Sequence, residues 1–503
     1  SAIKSTFRSL LRGCPSSLRD SLRDLRDFLS SGPPSLTPAT FMSTCPPPDV
    51  TPLSSVEELW EWAEPEKEAE PAEAISTPRP LSAHYDRRDG RPKILVCHDM
   101  KGGYLPHERI SCSSTVAAEG GDEPFIFLHW WNIDFFCYFS HNFITLPPLA
   151  YTSAAHDHGV RVLGTIITEW TGGQRLCDRF LSSEEAVLRT AKQLSRLMVH
   201  HNFDGWLVNI ENTLSKSQVS AMRRFVRELR VESRRVNTEA VVIWYDSVIE
   251  SGKLRWQNAL NKLNWCFYSE ADAVFLNYNW TEQHLEQSGA AAVDPTTVFV
   301  GVDVFARGCV GGCECASSFE RALTHSMSVA LFAPGWTVET FPGCDPVKQA
   351  LRFWSLLGRH LPSRPLRALP VQTNFCSGQA DGGKWFCLSS QQLQPHLTRS
   401  SAIPSADGLT LAALGSHKLF DLDVHIRDHD RNIVLHSSHP VKVLLNLREA
   451  KRVEEQTVTE EGEEGKGRGS HHQVVRLPHP LHLRSIVLRT SHPNTLITYF
   501  SLS

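Results

Sequence analysis

Eight short apolar runs, most of them separated by longer helical patterns, fill residues 93–336. They are KILVCHD (93–99), IDFFCYFS (133–140), RVLGTIIT (161–168), GWLVNIE (205–211), AVVIWYDS (240–247), AVFLNYN (273–279), VFVGVDVF (298–305) and SVALFAPGW (328–336). Near-continuous apolar runs are the mark of strands covered on both faces. Eight of them with crossovers in about 250 residues is the count of a (β/α)8 barrel. Helices are expected over 182–201 and 215–235, the first opening on Ser-Ser-Glu-Glu, an N-terminal signal. The competing fold is a doubly wound open sheet with a Gly-rich phosphate loop after an early strand. HDMKGGY at 98–104 lacks the G-x-G-x-x-G spacing that loop requires.

The strand ends share a polar and aromatic character: His98-Asp99, Ser140-His141, Glu169-Trp170, Asn209 and Glu211, Trp244-Tyr245-Asp246, Asn277-Tyr278-Asn279-Trp280, Asp303 and Trp336. In a barrel these ends converge on one rim, where active sites form. Asn209 and Glu211 are two apart and therefore share a face. Most glycosidases need two carboxyl groups; this pair has one acid and one amide. An amide is neither nucleophile nor base, but it can orient another amide. That suits a sugar whose 2-acetamido oxygen attacks its own anomeric carbon, giving an oxazoline. Asn209 would hold the acetamido group, and Glu211 would protonate the leaving oxygen and then deprotonate water. Tyr245 would donate to the acetamido oxygen. Burial beside Trp206 and Trp244 would raise the Glu211 pKa. Trp170, Trp244, Trp280 and Trp336, with His98, Asn279 and Asp303, are candidate sugar contacts. The plainer alternatives are a surface Glu211 beside a turn-forming Asn209, a catalytically silent glycan-binding barrel, and an interaction protein built on a barrel.

The blocks LVCHDMKGGYL, YFSH, HGVRVLGTIITEW, FDGWLVNIEN, WYDSV, LRWQNALN, NYNW, VFVGVDVFARG and SVALFAPGW resemble glycoside hydrolase family 85, from about Lys93 to Leu397. The resemblance implies a (β/α)8 barrel followed by β-sandwich modules. It implies cleavage of the β-1,4 bond between the two core GlcNAc residues of N-glycans, by the substrate-assisted route, leaving one GlcNAc on the protein or peptide. Partners implied are the N-glycans of glycoproteins, including misfolded ones, of glycopeptides and of free oligosaccharides, in the cytosol. By this similarity Asn209 is the oxazoline-stabilising amide, Glu211 the acid/base and Tyr245 the assisting hydroxyl, while Trp256 and Trp280 contact acceptor or core sugar. FDGWLVNIE also resembles the family 18 chitinase pattern D-G-x-D-x-D-x-E, but Leu207 and Asn209 occupy its inner aspartate positions, which argues against that family. No cofactor is expected, because the acetamido group supplies the nucleophile. Cys309, Cys313 and Cys315 have no further Cys/His pair at matching spacing, so no zinc site is expected there.

Flanking composition divides the chain into a Pro-, Ser- and charge-rich leader and linker (1–85) with a short helix at 55–63, the barrel (86–370), and a β-rich, sandwich-like region (371–503). The acidic, Gly-rich stretch 453–470 reads as a solvated loop. A net charge of −4 gives no basic field for nucleic acid or anionic membrane. No run of about 18 apolar residues is present. Thirteen scattered cysteines suit free thiols in a reducing compartment. A sequon at Asn279-Trp280-Thr281 lies within strand-like sequence, which also favours the cytosol.

Overall fold

The computed structural model describes residues 50–64, 90–105, 108, 125, 127–305, 315–341, 343–361, 371–373 and strand-bearing segments between 402 and 502. All eight expected strands form: β1 Ile94–His98, β2 Phe135–Tyr138, β4 Arg161–Glu169, β5 Gly205–Glu211, β6 Val241–Tyr245, β7 Ala273–Leu276, β8 Val298–Asp303 and β9 Ser328–Phe332. A two-residue strand, β3 (Ile144–Thr145), adds antiparallel to β4 and was not expected. The others are parallel in the order β2-β1-β9-β8-β7-β6-β5-β4, and a parallel β2–β4 pairing closes the ring. This is the (β/α)8 barrel.

Strand alternation sorts the side chains into two layers. Leu95, Cys97, Leu163, Ile167, Leu207, Ile243, Tyr245 and Phe275 pack together inside the ring. The alternate residues, among them Val96, Val162, Trp206, Val208, Val242 and Trp244, pack outward with the helices. Gly205 opens β5 where a Cβ would overlap the Val241 carbonyl, so only glycine lets β5 and β6 approach there. The helices that flank β5 lie close to their expected bounds. With α1 at Val56–Glu61, α2 at Leu149–Asp157 and α3 at Trp170–Phe180, they are α4 (Glu184–His200) and α5 (Lys216–Val236). Ser183 caps α4, and Ser215 with Gln218 forms a capping box on α5, satisfying N–H groups the first turn leaves unpaired.

Within the expected 1–85 linker, residues 50–62 are part of the barrel wall. Leu53 bridges to Ile144. The Trp60 indole donates to Thr190 Oγ1 at 2.9 Å, with Arg179 and Arg189 guanidinium groups 4.3 and 4.9 Å from its ring centre. Gln193 donates to the carbonyls of Leu59 and Trp62. Residues 1–49 and 65–85 lie outside the described residues, as do Cys309 and Cys313. From residue 371 on, the strands form a six-stranded and a four-stranded sheet, with antiparallel pairing throughout. Glu454–Glu455 pairs with Leu444 and Leu445, so the expected acidic loop includes a short strand; the remainder of 453–470 is outside the described residues.

Candidate active site

The parity that turns Leu207 into the ring carries Asn209 and Glu211 to its mouth. The parallel register pairs Glu169 of β4 with Glu211, and pairs Val208 with Trp244, so Tyr245 of β6 stands beside Asn209. Four polar side chains from three adjacent strands therefore meet on one side of the opening. Glu211 is partly buried. Burial and then the neighbouring Glu169 charge raise its pKa, while the Asn209 amide hydrogen bond and the His141 charge oppose the rise. Asn209 is buried and its Oδ1 has no hydrogen-bond partner. A buried unpaired acceptor costs free energy, on the order of 1–3 kcal/mol. Such an atom can accept from a donor that reaches it.

Glu169 is held in turn by His141, whose Nδ1 lies 3.0 Å from Glu169 Oε2. Trp170, the next residue, has φ +51°, rare for a bulky side chain. Its carbonyl accepts from Asn212 Nδ2 at 2.7 Å, and its ring stacks with His141 at 6.2 Å while staying 75% exposed. The Tyr245 hydroxyl donates to Asn277 Oδ1 at 2.9 Å. A phenol has one proton, and in the free chain it points at Asn277 rather than into the open mouth, where donation to an acetamido oxygen was expected. Burial, and then the Glu211 charge, push the Tyr245 pKa well up, so the hydroxyl stays protonated.

Four expected contacts are corrected by strand parity and burial. Trp244 is fully buried in the outer layer and stacks on Phe267 at 4.4 Å; adjacent residues of a strand face opposite ways, so Tyr245 inward places Trp244 outward. Trp206 is outward for the same reason, and the burial that raises Glu211 does not come from these two indoles. Trp280 is buried in that layer, its Nε1 donating to the Gly301 carbonyl at 2.8 Å. His98 faces outward, buried, with Nε2 3.0 Å from Glu108 Oε1. The remaining aromatics stay accessible around the rim. Trp256 is exposed on the loop after β6, and Trp336 after β9 lies half-buried, 5.2 Å from the Phe305 ring. Asn279 is exposed and donates its backbone N–H to Asn258. Asp303 is buried at the end of β8, accepting from the Phe305 N–H at 3.1 Å.

The sequence reading missed the adjacency of Glu169 to Glu211 and the engagement of Asn277 with Tyr245. Both lie on neighbouring strands, and the signal that finds them is the interstrand register. Among the described residues no group of His, Cys, Asp and Glu is placed to hold a metal ion, and no helix is long and apolar enough to cross a membrane.

Comparison with known proteins bears on this site. The chain is 43% identical over 319 residues to cytosolic endo-beta-N-acetylglucosaminidase of Gallus gallus, covering 61% of this chain and 43% of the relative. It is 43% identical over 363 residues to the Homo sapiens protein of the same name, covering 68% and 47%. The chain thus spans less than half the length of these curated relatives. The glycoside hydrolase domain of Endo-D from Streptococcus pneumoniae R6 shares the fold, with a TM-score of 0.65 at 17% identity over 91% of this chain and 83% of that one. A sequence profile of glycosyl hydrolase family 85 matches residues 110–383, more than half of the sequence and including every strand from β2 to β9, and the chain belongs to that family.

Proposed function

We propose that the chain is an endo-β-N-acetylglucosaminidase that cuts the β-1,4 bond between the two core GlcNAc residues of N-glycans, leaving one GlcNAc on the protein or peptide. The observation that carries this reading is the β5 pair: Glu211 with a raised pKa beside a buried Asn209 whose Oδ1 awaits a donor. An acetamido N–H is such a donor. Held by Asn209, the acetamido carbonyl oxygen attacks the anomeric carbon. The bond to the leaving oxygen breaks, and Glu211 transfers its proton to that oxygen. A raised carboxyl pKa favours the protonated form that the acid step needs. The product sugar is an oxazolinium. Glu211, now a carboxylate, takes a proton from water, whose oxygen attacks the same carbon and reopens the ring. Two displacements at one centre retain its configuration. Tyr245 closes the other side of the acetamido pocket, and the exposed Trp170 and Trp256 offer faces for sugar rings. The cytosolic relatives support a cytosolic place of action, on glycoproteins, glycopeptides or free oligosaccharides.

Mass spectrometry of a high-mannose glycopeptide incubated with the folded chain tests the reading. A peptide retaining a single GlcNAc is the expected product. An unchanged glycopeptide would leave a glycan-binding barrel as the better account.

A further inference from the structure

Tyr245 is held by a chain of contacts that starts on the far side of its own strand end. The next residue, Asp246, is buried and anchors the loop that follows β6. It accepts from the backbone N–H groups of Gln257 (3.0 Å) and Asn258 (2.7 Å) and from Asn264 Nδ2 (3.0 Å). Burial pushes its pKa up to about 6 against these donors, so near neutral pH the carboxylate is an anion that accepts them all. The anchored loop carries Asn258 at φ +55°, a conformation that Asn tolerates better than most residues. Asn258 Oδ1 accepts from Asn277 Nδ2 at 2.7 Å and from the Asn279 backbone N–H at 3.3 Å.

The direction of every bond follows from one fixed point. A backbone N–H only donates, so the Asn258 atom it meets is the carbonyl oxygen. The Asn277 atom facing that oxygen must then be the NH2 group, which leaves Asn277 Oδ1 facing Tyr245. An acceptor facing a phenol obliges the phenol to donate. The Tyr245 oxygen is also bonded by Tyr278. We propose that Asn277, locked by Asn258 on the Asp246-anchored loop, is a positioning residue: by accepting the Tyr245 proton it fixes the phenol and the direction of its oxygen beside the acetamido group. Resting on the proposed function above, this extends the reacting assembly to two amides that touch no substrate. An amide in place of a carboxylate at position 277 is required by the lock: a carboxylate would keep the Tyr245 bond but set two acceptors against each other at Asn258.

A double-mutant cycle on turnover of the high-mannose glycopeptide, with Tm recorded for each variant, tests this. Asn277→Ala lowers kcat about tenfold, the equivalent of one hydrogen bond, with KM little changed. In a Tyr245→Phe background the same substitution adds less than about twofold, because residues acting through one another are non-additive. Asn258→Gly keeps the backbone conformation but not the acceptor, and lowers kcat as Asn277→Ala does. Asn258→Asp restores the acceptor and recovers most of that loss. Additive losses at 245 and 277, or equal losses for Asn258→Gly and Asn258→Asp, overturn the positioning role while the proposed function stands. A folded wild-type chain without turnover overturns both.

Discussion

Two buried polar clusters lie within a few residues of strand ends on opposite faces of the same barrel. On the outer face, Glu108 accepts from His98, Tyr138, Tyr151 and the Leu105 backbone N–H. Burial alone would raise its pKa, yet the bonds from His98 and Tyr138 hold it below the usual carboxylate value. At the mouth, Glu211 has one amide and a like-charged neighbour, and its pKa goes up. The outer cluster is close to satisfied, with His98 Nδ1 its one unpartnered nitrogen, whereas the mouth leaves Asn209 Oδ1 unpaired and keeps Trp170 in a rare backbone conformation. A carboxylate surrounded by donors stabilises a fold; one short of donors is ready to exchange a proton.

The contrast breaks if stability and turnover fail to separate. Glu211→Gln should reduce glycopeptide turnover by roughly 10²–10⁴-fold, the worth of general acid–base catalysis, with glycan binding and Tm nearly unchanged; equal loss of binding and turnover would count against it. Glu108→Ala should do the reverse. Chemical denaturation should show a loss of roughly 3 kcal/mol, because several buried donors lose their partner, with kcat of the folded fraction intact. Asn209→Ala should spare turnover of a preformed sugar oxazoline relative to intact glycan, since the task proposed for the amide is in forming the ring; equal impairment of both would remove that task.

Acid sharpens the comparison by a different route. Burial lowers His129 to about 3 and His158 and His201 to about 4, from a free value of 6.5. Between these values the unfolded chain binds protons that the folded chain refuses, so stability is lost as pH falls from about 6.5 toward 4. Asp246, raised from 3.8 to about 6, works oppositely, gaining stability as pH falls through that window. Glu211, also raised, acts with Asp246, while Glu108, held low, acts with the histidines; the three large histidine shifts predict a net fall in Tm, by roughly 2–4 °C for each kcal/mol lost, which calorimetry across this range would register. The subtlest expected change is at Glu169→Gln. Removing the like charge lowers the Glu211 pKa, and because Glu211 must be protonated to act as the acid, the alkaline limb of the kcat/KM profile should move to lower pH. A limb that stays in place would mean that the Glu169 charge does not reach Glu211.

Much of the barrel was legible because buried parallel strands are written as nearly uninterrupted apolar runs, and α4 announces itself by its Ser-Ser-Glu-Glu opening. Asn209 and Glu211 were legible as a pair because period two requires no partner strand. The same alternation, applied to Trp244 and Tyr245, shows that both cannot face the mouth; treating strand ends as polar or aromatic clusters obscured it. His98 closes β1, where the alternation that turns Cys97 inward turns it outward, whereas Trp280 lies beyond its strand end, where the side chain's direction depends on the loop. Glu169 needed the β4–β5 register, and Asn277 needed the loop carrying Asn258, neither of which a single sequence encodes locally. Residues 50–62, with the helix expected at 55–63, were assigned to the linker because Pro-, Ser- and charge-rich sequence surrounds them and what they pack on lies far along the chain.

That last separation has a consequence during synthesis. Trp60 and its partner Thr190 are 130 positions apart. At about 5–20 residues per second, α1 waits on the order of 10 s before the surface it covers has been made. For that interval Leu59 and Trp60 are apolar side chains with nothing to shield them, on a short helix that cannot hold itself together alone. This piece of the wall is therefore translated well before it can be seated, and a slow ribosome lengthens the time in which a chaperone has something to hold.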